Sequence, residues 1–202
     1  MGVTRIIAGY AGSLRLSVPR FGTRPTSDRV REAIFSALQA RDVLEGARVL
    51  DLYAGSGALG LEAASRGAAH VTLVDRAAAA SRVLHDNAAR VRRAAPRDAQ
   101  PEVVVSSRPV LSFLGAGGGT WDVVFLDPPY DLGAAELRHD LEALVAQLAP
   151  DAVVVVERSG RDRPPEWPGG LELERRRDYG ETALFWLVPG PGDQPAAPSQ
   201  SA

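Results

Sequence analysis

Asp127-Pro128-Pro129-Tyr130 is the stretch of this 202-residue chain whose residue types carry the most specific chemistry. It follows an apolar run, Val123-Val124-Phe125-Leu126, and so belongs at the carboxyl end of a buried strand. Upstream lies a second strand-end motif, Asp51-Leu52-Tyr53-Ala54-Gly55-Ser56-Gly57-Ala58-Leu59-Gly60. Ligands in open α/β sheets bind outside the carboxyl ends of the strands, near the switch point. The two motifs therefore predict one composite site, with a cofactor at the glycine turn and a substrate at Asp-Pro-Pro-Tyr. That pairing points to transfer of a methyl group to an amino nitrogen.

The chemistry explains the residue types. Two successive prolines fix φ and hold the preceding residue extended, so the Asp127 carboxylate becomes a rigid acceptor. An exocyclic amino group is planar because its lone pair is delocalised into the ring. Accepting hydrogen bonds from its hydrogens orients it and turns the lone pair towards an electrophilic methyl. Tyr130 offers a flat face on which a flipped base can stack. A Pro-rich turn with a capping Asp is the bland alternative. The glycine turn is weaker by itself, since it also suits NAD or close helix packing. Asp75 narrows it, because it ends the next strand, His70-Val71-Thr72-Leu73-Val74. A carboxylate there can accept hydrogen bonds from both ribose hydroxyls, and it can equally cap the following helix. Asp51 either faces a sulfonium or amino group or braces the loop.

The elements that must position these residues alternate from about residue 47. Apolar runs at Val49–Leu52, Val71–Val74, Val103–Val105, Val123–Leu126 and Ala152–Val156 read as strands buried on both faces. Helical stretches lie between them at Ala58–Arg66, Ala77–Val91, Pro109–Leu114 and Ala134–Leu148. Leu171–Arg177 and Thr182–Val188 flank a turn and read as an antiparallel pair at one side of the sheet. The fold class is α/β: a mostly parallel, Rossmann-like, doubly wound sheet with an antiparallel terminal hairpin. Before it, Arg5–Ala8 and Ser13–Val18 predict a hairpin, and a helix follows Pro25 with Thr26 or Ser27 as N-cap. Three units are expected: a hairpin and helix over 1–45, the main domain over 46–188, and a disordered Pro/Gly/Ser tail over 189–202.

Composition sets the limits. The chain is 45% hydrophobic and 24% charged with a net charge of -2, ordinary for a soluble domain. The amino terminus is nevertheless basic, with Arg5, Arg15, Arg20, Arg24, Arg29 and Arg31 against Asp28. All 23 basic residues are arginine, which fits GC-rich coding bias. No cysteine is present, so disulfides and thiolate metal sites are excluded, and the three scattered histidines predict no metal. No apolar run is long enough for a membrane span, and the start does not read as a secretory signal. The cytoplasm is the expected compartment.

These motifs resemble a known family. The chain looks like a class I S-adenosylmethionine-dependent methyltransferase, and more closely resembles the RsmD family, bacterial enzymes that methylate guanine N2 in 16S ribosomal RNA. The likeness rests on Arg5-Ile6-Ile7-Ala8-Gly9, on the run from Gly22 through Arg24-Pro25-Thr26-Ser27-Asp28-Arg29-Val30-Arg31-Glu32 to Phe35, on the Asp51–Gly57 turn, and on Tyr179-Gly180-Glu181-Thr182. It spans nearly all of residues 5–188. It implies a catalytic Asp127, Pro128, Pro129 and Tyr130, and S-adenosylmethionine held by Asp51, Tyr53, Ala54, Gly55, Ser56, Gly57, Asp75, Arg76, Ser107 and Asp127. It implies 16S rRNA, or a small subunit or assembly intermediate, as partner, contacted by Arg5, Arg15, Arg20, Arg24, Arg29 and Arg31, with the protein acting as a monomer. Pairing of Arg29 and Arg31 within the protein, beside Asp28 and Glu32, is the alternative.

Two departures matter. The first hairpin reads Gly12-Ser13-Leu14-Arg15-Leu16 where the family often has a further basic residue. After the third strand of the main sheet, Ser106-Ser107-Arg108 stands where related enzymes often place an Asp against adenine, so a backbone amide or Ser107 must serve. A DNA adenine-N6 methyltransferase is the runner-up, though little room exists for a target-recognition region. A protein glutamine methyltransferase typically carries Asn at the position of Asp127. A non-catalytic RNA-binding or assembly protein is the reading from another class, and the intact glycine turn and acceptor motif weigh against it.

Overall fold

The computed structural model describes residues 3–19, 26–97, 100–129 and 131–190. A two-stranded hairpin, β1 (Val3–Arg5) and β2 (Arg15–Ser17), and a helix, α1 (Asp28–Gln39), come first. The chain then alternates β3 (Arg48–Leu52), α2 (Ala58–Ser65), β4 (His70–Val74), α3 (Ala78–Ala94), β5 (Glu102–Ser106), α4 (Val110–Gly115), β6 (Trp121–Leu126), α5 (Ala134–Val145) and β7 (Leu148–Ser159). It ends in the hairpin β8 (Leu171–Tyr179) and β9 (Thr182–Pro189).

The seven strands from β3 onward form one sheet in the order β5-β4-β3-β6-β7-β9-β8. The first five are parallel, and β9 joins antiparallel to both β7 and β8. From β3 the chain steps outward to β4 and β5, then returns to place β6 on the other side of β3. The switch point is therefore the β3–β6 seam, where Leu52 sits opposite Leu126. That register puts the residues following Leu52 beside Asp127, the condition for a composite site.

Alternation along the central strands separates two apolar layers. Val49, Val71, Leu73, Val123, Phe125, Val153 and Val155 pack on one face with α1, α2 and α3. Leu50, Leu52, Val74, Val124, Leu126, Val154 and Val156 pack on the other with α4 and α5. Gly60 of α2 is where helix and sheet approach closely, because a Cβ there would lie 2.4 Å from Leu73 Cδ2 and 3.1 Å from Asp51 Cβ.

Two elements differ from their sequence-based bounds. The amino-terminal ladder is shorter than Arg5–Ala8 with Ser13–Val18, because the next amides are taken by a side chain. Ile7 and Ala8 donate N–H to the Glu62 carboxylate at 2.6 and 3.0 Å. Ser65 Oγ then accepts from Ala11 N and donates to Ala8 O, tying residues 7–11 to α2. Helix α5 stops at Val145 instead of reaching Leu148. Trp121 N donates to Gln147 O, and Leu148 joins the sheet opposite Trp121 through an irregular register. Pro150, which lacks a ladder donor, falls in that irregular stretch.

Candidate active site

Both motifs open onto one cavity of about 420 Å³ at the switch point, within the range of small-ligand sites. The glycine turn contributes Tyr53, Ala54, Gly55, Ser56 and Ala58 to its wall, and the end of β6 contributes Asp127, Pro128 and Pro129. Asp51, Asp75 and Arg76 also line it. Val18, Pro19 and Thr26 reach it from the amino-terminal unit. Tyr130, Arg20, Arg24 and the tail beyond residue 190 lie outside the described residues.

The turn is built from unusual backbone. Gly55 and Gly57 have φ of 54° and 77°, and Tyr53 has 64°. Only glycine adopts such values without cost, so Tyr53 holds local strain of about 1–3 kcal/mol. Its hydroxyl hydrogen-bonds to the Asp140 carboxylate of α5, which pins the ring across the cavity. Gly57 is the N-cap of α2 and does not itself line the cavity; a Cβ there would come 2.9 Å from Leu84. Its role is packing, whereas Gly55 and Ser56 line the cavity.

The carboxylates divide their work. Asp51 is almost wholly buried, and its Oδ2 accepts from Gly60 N at 2.8 Å, so it braces the turn as well as lining the cavity. Asp75 accepts from Gly55 N at 2.9 Å through one oxygen and from Ala77 N at 2.8 Å through the other. It thus couples the glycine turn to the start of α3 at the edge of the cavity. Asp127 accepts from the Thr26 hydroxyl at 2.8 Å. Burial, with added charge from Asp127 and Asp75, pushes the Asp51 carboxyl up to about 8. Burial likewise raises Asp127 to about 6, against the Thr26 hydrogen bond, which lowers it. With Glu136 and Asp140 also on the wall and Arg76 facing them, the cavity is rich in acids. Such a site favours a ligand bearing positive charge.

Ser107 does not line the cavity; its hydroxyl pairs with Ser81. Pro109, Val110 and Leu111 occupy that wall instead, and nothing in the Ser106-Ser107-Arg108 chemistry announced them. Leu111 is half-exposed although apolar.

The arginines separate too. Arg5 and Arg15 flank an open groove between the hairpin and the start of α1, which Thr26 joins to the main cavity. Arg5 pairs with Asp28 at 3.2 Å but its side chain stays 62% exposed, a surface pairing of little worth. Arg15 and Arg29 are exposed. Arg31 takes the alternative, pairing within the protein. It is fully buried, and donates to Arg5 O, Thr4 Oγ1 and Asp28 Oδ1. Its guanidinium ties the hairpin to α1 and presents no surface to RNA. Arg90 of α3, unnoticed in the sequence, lies beside the hairpin with Nη1 3.5 Å from Ser17 Oγ.

A parallel sheet closed by an antiparallel hairpin, with a glycine turn and an Asp-Pro-Pro strand end meeting in an acidic cavity at its switch point, defines a class I methyltransferase. The family described as Conserved hypothetical protein 95 matches residues 4–188. Ribosomal RNA small subunit methyltransferase D of Escherichia coli (strain K12) is 39% identical over 183 residues, 90% of this chain and 88% of that protein. Its namesake in Haemophilus influenzae is 35% identical over 182 residues, 89% of this chain and 90% of that protein. A hypothetical protein of Thermus thermophilus has a solved structure that superposes with a TM-score of 0.77 at 34% identity, covering 93% of this chain and all of that one. The chain belongs to this family, that of ribosomal RNA small subunit methyltransferase D.

Proposed function

We propose that the protein transfers a methyl group from S-adenosylmethionine to the exocyclic N2 amino group of a guanine in 16S ribosomal RNA. The observation that carries this reading is the meeting of Asp127 with the Asp51–Gly57 turn across the β3–β6 seam. The residues fit the cofactor by the chemistry of their donor set. Asp75 suits a ribose diol, Val110 and Leu111 an apolar base, and the acidic wall a sulfonium and an ammonium. Bound there, the cofactor supplies a methyl carbon made electrophilic by its sulfonium. The protein's own contribution is orientation. Asp127 accepts from the amino hydrogens, Pro128 and Pro129 fix that acceptor, and Tyr130 is proposed to stack on the flipped base.

Tritium transfer to naked 16S RNA, to undermethylated small subunits and to DNA, followed by nucleoside analysis, tests the proposal. N2-methylguanine in the small-subunit RNA is the expected product. N6-methyladenine in DNA would replace this reading. A monomer working in the cytoplasm, where small subunits are assembled, completes the proposal.

Two predictions belong to it. Asp75→Ala should weaken S-adenosylmethionine binding by about 1–3 kcal/mol, through lost charge-assisted bonds and a freed Gly55 amide. Calorimetry with the folded variant reads this, and unchanged affinity would move the ribose elsewhere. For RNA, Arg5 and Arg15 flank the groove that leads to Thr26. Replacing both with Ala should weaken RNA binding and reduce the slope of log affinity against log salt by about 2, as two phosphate contacts are lost. Cofactor affinity should hold. An unaltered slope would shift the RNA path, with Arg90 the next residue to replace.

A further inference from the structure

Asp127 is not the only carboxylate at the end of its strand pair. Leu126 sits opposite Val156 in the β6–β7 register, so the next residues outward are Asp127 and Glu157. Both reach the same hydroxyl: Thr26 Oγ1 is 2.8 Å from Asp127 Oδ2 and 3.2 Å from Glu157 Oε2. On its far side, Glu157 Oε1 lies 3.5 Å from Thr182 Oγ1. Thr26 and Thr182 belong to the two stretches, Arg-Pro-Thr-Ser and Tyr-Gly-Glu-Thr, that the cofactor and base chemistry leave without a task.

A hydroxyl has one proton and cannot donate to two carboxylates at once. The shorter contact places the Thr26 proton towards Asp127. The 3.2 Å contact then sets a hydroxyl lone pair against Glu157 Oε2, which is attractive only if Glu157 carries the proton. Thr182 donating to Oε1 leaves Oε2 as the protonated oxygen. Two carboxyls so close also resist double ionisation.

We propose that Glu157 and Thr26 are positioning residues for methyl transfer, forming a directional chain in which protonated Glu157 donates to Thr26 and Thr26 donates to Asp127. The chain rests on the reading of Asp127 as the acceptor for the amino group. It occupies Oδ2 and fixes the carboxylate's rotation, leaving Oδ1 for the substrate. It also ties the amino-terminal unit to the acceptor, because Thr26 comes from that unit and Asp127 is fully oriented only with Thr26 seated against it. Burial and the Asp127 charge push Glu157 up to about 8 while Asp127 stays lower, which matches this proton assignment. Among the described residues, Asp127 is the charge acting on Glu157, and Asp51 lies within electrostatic reach of Asp127, with Asp75 beyond it.

The test is single-turnover methyl transfer to small subunits or their RNA, at saturating cofactor, between about pH 6 and 9.5. As pH rises past about 8, wild-type Glu157 ionises and competes for the Thr26 proton, so the rate falls. Glu157→Gln keeps a permanent donor at the Oε2 position. It should hold the neutral-pH rate within about threefold and lose this alkaline fall. Thr26→Val should lower the rate about 10-fold or more with KM for RNA and cofactor unchanged, and Thr26→Ser should restore most of it. An alkaline effect of the RNA itself is common to all variants, so the difference between them is the readout. Thr26→Val at the wild-type rate, or Glu157→Gln with an undiminished alkaline fall, overturns the chain. Should Thr26→Val fail to fold, Glu157→Gln and Thr26→Ser decide alone. Asp127→Ala run alongside separates the two failures. Full activity there refutes the acceptor reading itself, whereas an inactive Asp127→Ala beside unaffected partners refutes the chain only.

Discussion

Asp127→Ala is expected to bind the methyl donor normally and to transfer methyl groups roughly 10²-fold more slowly, or worse. The reacting amino nitrogen is a poor nucleophile while its lone pair is conjugated with the ring. A fixed acceptor on its hydrogens offsets that, and Asp127 is fixed from both sides, by Pro128-Pro129 in the chain and by the Thr26 hydroxyl. Lost activity cannot then be put down to lost stability, because the carboxylate opposes folding at the working pH. Its pKa is raised to about 6 in the folded protein. Between the ordinary Asp value of about 4 and 6, the folded state binds more protons than the unfolded one, so stability falls as pH rises through that window. Above it the charge is present, buried among Asp51 and Glu157. Asp127→Ala should therefore unfold at an equal or higher urea midpoint at pH 8, and Asp127→Asn, which keeps one oxygen acceptor, should retain part of the rate. Wild-type turnover in the alanine variant would refute the role.

How much of this was legible in the sequence depended on whether a contact was local. The strand ends bearing Asp51, Asp75 and Asp127 could be read because each acid directly follows an apolar run, and strand period then fixes where it must emerge. That the two motifs share one site followed from the alternating pattern and the switch-point rule, but the strand order that brings β3 beside β6 did not. Glu157 closes an apolar run in the same way, after Ala152–Val156, and an acid at the end of a neighbouring strand was a usable signal. What the sequence could not disclose is that Thr26, far upstream, bridges it to Asp127. For Arg31 the sequence left RNA contact and pairing within the protein both open, and only the folded hairpin, which takes its guanidinium, decides for pairing. Ser107 looked like the adenine contact because it is polar, but a hydroxyl from α3 satisfies it and apolar Val110 and Leu111 line the wall. The short first hairpin was hidden too, since its amides answer to Glu62.

Glu62→Ala is expected to cost about 3–5 kcal/mol of stability, the range for removing one partner of a buried ion pair. Glu62 is fully buried on α2, and three donors converge on it. Ile7 N reaches Oε2 at 2.6 Å, Ala8 N reaches Oε1 at 3.0 Å, and Arg66 Nε reaches Oε1 at 2.7 Å. The Arg66 side chain is itself only 7% exposed. Truncation leaves the two amides and Arg66 Nε without acceptors, although Arg66 Nη1 keeps Gln39 Oε1 at 2.6 Å, and each orphaned donor is a further penalty. Glu62→Gln should fall between, since one of its two terminal atoms would point an N–H at a donor. Gly9→Ala attacks the same junction sterically. Gly9 has φ of 80°, and a Cβ there would lie 1.8 Å from Ser65 O, so the loop must lift off α2. Both variants should lower the urea midpoint and speed amide exchange at Ile7, Ala8 and Ala11 ahead of the sheet. They should slow methyl transfer as well, because the unit they loosen carries Val18, Pro19 and Thr26 over the cavity. A loss below about 1 kcal/mol in Glu62→Ala, the worth of an ordinary exposed pair, would mean that the amino-terminal unit is held chiefly by the apolar packing of Ile6, Leu16, Ile34 and Phe35.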